Sequence, residues 1–242
     1  MTPHQHDRPA RPVRPARPAG HPRRLVRAVL AALVTAAAVL ALAPGAGAAD
    51  ARPLLQGGEP VYASDGSRCL AGLNARSSTD HFVLTAGHCA SGFPTWFADA
   101  SLTTLIGPTE AAYFPGGDYA VIRYANDDLP HPPTVICGGQ VIEITGVGQP
   151  YVGQPVTFAG ASGCHTGTVT GVNVTVGYPD GSVTNLIETN VCAEPGDSGG
   201  LLFSGSLALG LLSGSSGNCT SGGTSYFQPV APVLAAHGLT IG

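Results

Sequence analysis

From about residue 55 onward the sequence predicts an all-β protein ending in one short helix, and three observations predict it. Short runs rich in Val, Ile, Thr, Tyr and Phe recur at 82–85, 119–124, 167–176, 208–212 and 224–227. Gly, Pro, Asn and Asp punctuate them, and Tyr178-Pro179-Asp180-Gly181 reads as a hairpin turn. Only 230–237 has helical spacing, with Gly238 placed to end it. No solenoid or propeller period is present. Regularly spaced strands of this kind build a sandwich or barrels, and such all-β units can run large.

The first fifth of the chain is different in kind. Residues 1–24 are crowded with Arg, Pro and His, and an Ala/Leu/Val run follows from 28 to 43. Pro44-Gly45-Ala46-Gly47-Ala48 then supplies a small-residue cleavage site. A basic region, a short apolar region and such a site describe an export signal at 1–48. The apolar run is shorter than the roughly 20 residues a bilayer span needs. Past Ala48 there remain four Arg, no Lys and 14 acids, a formal balance of −10. That balance argues against nucleic acid or an anionic membrane as partner. It suits a secreted, extracellular protein with no membrane attachment after signal removal. All six Cys (Cys69, Cys89, Cys137, Cys164, Cys192, Cys219) lie in this part. An even number in an exported chain reads as disulfides, with 15 pairings open. Metal sites need closer Cys or Cys/His spacing, so no metal is expected.

Three separated motifs carry the chemistry. Gly196-Asp197-Ser198-Gly199-Gly200 puts a serine on a run that glycine lets bend sharply, as a nucleophile beside backbone oxyanion donors requires. Thr85-Ala86-Gly87-His88-Cys89 follows a strand-like run, and imidazole is the side chain that accepts and returns protons near neutrality. His81, His131, His165 and His237 have no comparable surroundings, and His165 reads as a loop residue beside Cys164. The third member must be an acid that orients the imidazole. Asp118 stands between Gly116-Gly117 and an apolar strand, where a charge needs a partner. Asp99, Asp127, Asp128 and Asp180 sit in polar turns.

In this order of His88, Asp118 and Ser198, the motifs resemble the chymotrypsin-like serine proteases, and more closely their bacterial streptogrisin and alpha-lytic-protease-like branch. The likeness runs from Leu55-Gln56-Gly57-Gly58 to Gln228-Pro229-Val230 and includes Ser216-Gly217-Asn218-Cys219. It implies two six-stranded antiparallel β-barrels, 49–137 carrying His88 and Asp118, 138–242 carrying Ser198. It implies an oxyanion hole from the N–H groups of Gly196 and Ser198, and a hydrogen bond from Ser213 to Asp118. Ser213, Gly214 and Ser215 would pair with substrate backbone. The resemblance further implies Cys69–Cys89 and Cys192–Cys219, which leaves Cys137 with Cys164.

The implied S1 pocket is walled by 192–195, 212–216 and 222–225, with Leu212, Gly223 and Thr224 among its residues. Glu194 is expected to face solvent. Glutamate-specific relatives carry a His where Leu212 stands. An uncharged slot favours large apolar or aromatic P1 residues. The expected protein is a monomeric serine endopeptidase acting on polypeptides without a cofactor. Two alternatives are a catalytically impaired peptide-binding protein and a secreted esterase. Residues 196–200 also satisfy G-x-S-x-G, but the chain lacks the Ser-Asp-His order and strand–helix alternation of an α/β-hydrolase.

There are two departures from the resembled pattern. Only Ala49 to Leu54 stand where a long pro-region is usual. Relatives often bury an Arg partner for the Asp of G-D-S-G-G, and this chain has Phe158-Ala159 there. Asp197 therefore needs backbone donors or a new N-terminal amine.

Overall fold

Residues 54–242 are described by the computed structural model, and the expected export signal at 1–48 lies outside them. The first strands are β1 Pro60–Ala63, β2 Arg68–Leu70, β3 Leu73–Arg76, β4 His81–Thr85, β5 Thr95–Phe97, β6 Leu105–Tyr113 and β7 Tyr119–Arg123. Next come β8 Thr134–Cys137, β9 Gln140–Glu143, β10 Gly146–Val147, β11 Pro155–Gly160, β12 Gly163–Tyr178 and β13 Gly181–Thr189. The chain continues through β14 Leu201–Ser204, β15 Leu207–Asn218, β16 Gly222–Pro229, helix α1 Val230–His237 and β17 Thr240–Ile241. Among these residues no helix is long and apolar enough to cross a membrane.

Period-two alternation decides where each strand's side chains go. In β4 and β7, Val83, Ala120 and Ile122 join Trp96 and Ile106 inside the first sheet. The intervening Phe82, Leu84 and Val121 turn the other way, into a core shared with Leu201, Phe203 and Leu211 of the second sheet. In the same strands of that second sheet, Leu202, Leu209 and Leu212 point inward to Phe158 and Phe227. Strands buried on both faces explain the nearly unbroken apolar runs at 82–84 and 119–122. Val230, Val233 and Leu234 bring α1 against the shared core, and Gly238, in the left-handed region, ends it by donating to Leu234 and Ala235 carbonyls.

The architecture is two barrel-like sheets, with strand counts that differ from the expected six. The first has eight strands in the order β17-β3-β4-β7-β6-β5-β1-β2. The second has seven, β10-β15-β14-β11-β12-β13-β16, and β15 also pairs with β16. Short edge strands raise both counts: β10 adds in parallel to β15 in the second sheet, while β17, paired with β3, and β2, paired with β1, close the two ends of the first. Residues 137 and 138 lie in the β8–β9 ribbon, so the sheets are linked there and again through the C-terminal strand. Disulfides join Cys69 to Cys89, Cys137 to Cys164 and Cys192 to Cys219.

Gly72 sits at the seam. A β-carbon there would meet the Leu211 side chain and the carbonyls of Gly199 and Leu84. Gly72→Ala is expected to destabilise the protein by about 1–3 kcal/mol through overpacking, read as a lower thermal midpoint. A second expectation concerns acid. His131 stacks on Tyr124 with ring centroids 4.1 Å apart and lies 4.6 Å from His81. Burial pushes its pKa below 6.5, and the neighbouring His81 adds to this against the Leu129 carbonyl and Asp127. A folded value below the unfolded one leaves this contribution intact above pH 6.5 and removes it as pH falls through the lowered value. Thermal midpoints measured against pH should therefore decline less steeply in His131→Phe than in the parent.

Candidate active site

Three turns converge on one point. The first follows β4, where Gly87 lies so close to the Tyr113 and Tyr119 backbone that no β-carbon fits. It delivers His88 into a single 3₁₀ turn, His88–Ala90, braced through Cys89 to Cys69 of β2. The second joins β6 to β7 and presents Asp118 just before the strand begins. Gly116 in this turn, with φ +103°, donates to the Ser182 carbonyl at 2.9 Å and accepts from the Thr184 N–H at 3.0 Å. The Asp118 N–H donates to Gln228 Oε1 at 2.8 Å. The turn carrying Asp118 is thus fastened to the second sheet on both sides.

Asp118 is fully buried, at 0% exposure, and every donor it receives is close. The His88 backbone N–H donates to Oδ1 at 2.9 Å, and His88 Nδ1 lies 2.9 Å from Oδ2 and 3.1 Å from Oδ1. Ser213 Oγ donates to Oδ2 at 2.6 Å. A carboxylate facing Nδ1 requires the hydrogen there, so Nε2 of the neutral ring is an acceptor. That nitrogen is 2.9 Å from Ser198 Oγ, whose hydroxyl donates to it. Ser213 has one hydrogen, already given to Asp118, so Tyr178, 2.9 Å away, donates its hydroxyl to Ser213. Burial and the Asp118 charge push the Tyr178 pKa up, against the hydrogen bond with Ser213.

The third turn carries Ser198. Gly196 and Gly199 both take the left-handed region, at φ +92° and +86°. A β-carbon on Gly199 would strike Thr85 Oγ1 and the Leu70 carbonyl. The Gly199 N–H donates to Leu212 at 2.9 Å, and the Leu70 N–H donates to the Ser198 carbonyl at 2.8 Å. Among the described residues, the N–H groups of Gly196 and Ser198 have no protein acceptor. Two free backbone donors beside a serine hydroxyl are what an incoming oxyanion needs. Asp197, at 0% exposure, has backbone partners: Ala161 N–H to Oδ1 at 2.8 Å and Glu194 N–H to Oδ2 at 2.9 Å.

Beyond Ser213 the β15–β16 hairpin pairs Ser215 with Ser225, Ser216 with Thr224 and Gly217 with Gly223. Ser215 and Gly223 are exposed, and Gly214 and Thr224 are half-buried. Leu212 differs, being buried with Val191, Ala193 and Phe227 in the core of the second sheet. Glu194 also departs from its expected place in solvent: its Oε1 accepts the Cys219 N–H at 2.8 Å. His165 packs beneath the Cys192–Cys219 disulfide, with Nδ1 3.2 Å from Cys192 Sγ. Since the sulfurs near His165 and near His88 are disulfide-bonded, neither cluster offers thiolates to a metal.

Two residues near the site, Phe114 and Tyr178, carry no local sequence signal of a role there. A cavity of about 310 Å³ beside His88 is lined by Phe114, Tyr178, Pro179, Asp180 and Ser213. Phe114 meets the His88 ring edge-on at 5.7 Å and Tyr178 at 5.8 Å. The roomier groove, about 580 Å³, runs along α1 past Pro150, Val172 and Leu209 and contains none of these reactive groups.

Residues 56–236 match the family model described as Trypsin. Serine protease 2 of Streptomyces fradiae is 49% identical over 174 residues, covering 71% of this chain and 100% of that protein. Streptogrisin-D of Streptomyces griseus is 46% identical over 198 residues, covering 81% of this chain but 50% of that protein, so the chain spans half its length. Among solved structures, alpha-lytic protease homolog N4 has a TM-score of 0.72 at 43% identity, covering 77% of this chain and 98% of that one. A glutamic acid specific serine protease, described as using a histidine triad in substrate binding, has a TM-score of 0.74 at 38% identity, covering 78% and 100%. The chain belongs to the trypsin family and is a serine endopeptidase of the bacterial branch that holds the streptogrisins and the alpha-lytic protease homologues.

Proposed function

We propose that Ser198, His88 and Asp118 hydrolyse peptide bonds through an acyl-enzyme, in a secreted monomer that prefers large apolar or aromatic P1 residues. The observation that carries this is the position of His88, with Nδ1 2.9 Å from Asp118 and Nε2 2.9 Å from Ser198. His88 takes the Ser198 proton as Oγ attacks the scissile carbonyl, then returns it to the leaving amine. Water repeats the sequence to free the acid. The buried Asp118 charge holds the ring and stabilises its cation. The N–H groups of Gly196 and Ser198 receive the oxyanion. The outer edge of β15 at Gly214 and Ser215, unpaired among the described residues, suits a substrate that adds as a strand, which favours peptide over a simple ester. Secretion is supported by the basic and apolar character of 1–48 and by six cysteines all in disulfides.

The P1 reading rests on what lines the slot. Gly214, Ser215, Gly223 and Thr224 bring no charge, and the Glu194 carboxylate is engaged by the Cys219 N–H. A glutamate preference, as the name of one relative declares for that protein, lacks support: His165 lies under a disulfide, and Leu212 is core. The cavity beside Phe114 and Tyr178 suits a second apolar substrate side chain.

Fluorophosphonate labelling followed by peptide mapping should find the modification on Ser198. Ser198→Ala should lower kcat by about 10⁴-fold or more, and Asp118→Asn by about 10⁴-fold with KM little changed. Full activity in Ser198→Ala would remove the assignment. A panel of peptide amides differing only at P1 should rank Phe, Tyr and Leu above Glu, Lys and Arg in kcat/KM. Fastest cleavage after Glu or Lys would overturn the pocket reading.

A further inference from the structure

We infer that Glu194 is a positioning residue for substrate specificity, latching the two walls of the P1 slot together through its carboxylate. This rests on the proposed slot. One wall is the segment 192–195 leading into the Ser198 turn, and the other is the outer part of the β15–β16 hairpin. Past Ser225, which still pairs with Thr189 of β13, that hairpin pairs only with itself. Its tip is turned by Asn218, which accepts from the Thr220 and Ser221 N–H groups at 2.9 and 2.8 Å. Residues 215–218 and 220–223 are exposed. Two fastenings reach this tip from the opposite wall. One is the Cys192–Cys219 disulfide, and the other is the 2.8 Å hydrogen bond from the Cys219 N–H to Glu194 Oε1.

The same residue is tied at its other end. The Glu194 N–H donates to Asp197 Oδ2 at 2.9 Å, and the Asp197 N–H donates to the Glu194 carbonyl at 3.1 Å. Asp197 in turn precedes Ser198. Glu194 therefore joins the exposed hairpin tip to the nucleophile turn by hydrogen bonds at both its side chain and its backbone. A disulfide alone leaves rotation about its side-chain bonds, whereas a second attachment to the backbone of the same Cys219, from Glu194 just past Cys192, removes much of that freedom. A large P1 side chain needs both walls at a set separation, and a small one does not. Glu194 thus acts on binding of bulky side chains through the wall it holds, without touching the reacting atoms.

The test is a comparison of the parent with Glu194→Ala, Glu194→Gln and Glu194→Asp on amide substrates carrying Phe or Ala at P1. Active sites are counted with a fluorophosphonate, so that misfolded protein does not enter the rates. In Glu194→Ala, KM for the Phe substrate should rise about tenfold, the worth of one charge-assisted hydrogen bond at a half-exposed site, with kcat changed less than about twofold. The preference for Phe over Ala should narrow accordingly. Glu194→Gln keeps an oxygen acceptor at the same reach and should restore most of the loss. Glu194→Asp keeps the charge but is too short, and should behave as the alanine variant. Unchanged KM in Glu194→Ala, or equal impairment in the Gln and Ala variants, would overturn the latch. A parent enzyme whose turnover is independent of Ser198, or that ignores P1 size, would instead remove the reading on which the latch rests.

Discussion

Asp118 is fully buried, and an unanswered charge in that position costs several kcal/mol. Its answer comes from both halves of the molecule. The His88 N–H and Nδ1 arrive on the turn after β4, and the Ser213 hydroxyl arrives on β15. The backbone of Asp118 itself is held by Gln228 of β16. The imidazole cannot turn away without breaking the contact that satisfies the acid. The acid cannot move without pulling on both sheets, since Gly116 is bridged to β13. The interaction that orients the His88 ring is therefore also one that ties the two sheets together.

The turn carrying Ser198 solves a second burial problem in a different way. Asp197 is as deeply buried as Asp118, yet its partners are the backbone N–H groups of Ala161 and Glu194. Two aligned peptide dipoles partly replace what a cation would supply. The geometry depends on small residues: a β-carbon at Gly160 would lie 2.9 Å from Asp197 Oδ2. The conformation of the Ser198 turn thus depends on the β11–β12 turn, on the disulfide and hydrogen bond at Cys219, and on Gly72 beneath it.

Legibility in the sequence followed the range of each signal. The apolar runs of β4, β7 and β15 are local, and alternation along them shows at once as strand. Gly-Asp-Ser-Gly-Gly and Thr-Ala-Gly-His-Cys are local too, because the tight turns that present Ser198 and His88 need glycine within a few positions. Asp118 could be picked out because a charge at the mouth of an apolar strand is costly unless a partner meets it inside the protein. Glu194 was expected in solvent from the resemblance alone, and its acceptor role depends on Cys219, 25 residues later, which no local pattern shows. Tyr178 was hidden in a hairpin signal that was itself sound. Its ring faces Phe114 across a gap that only folding closes. Leu212 stood in a row that resembled a pocket wall, but the pleat of β15 sends it into the core while Ser213 faces Asp118.

By itself the sequence determined the all-β class and the glycine-bounded turns, and it singled out Ser198, His88 and Asp118 as the candidate triad, since each of these signals is set by residues adjacent along the chain. The tertiary structure alone decided what answers the buried carboxylates of Asp118 and Asp197, which face of β15 meets Asp118, and which N–H the Glu194 carboxylate accepts. Those are contacts between segments distant in sequence. Their energies come from burial and from donor–acceptor pairing that no local pattern encodes.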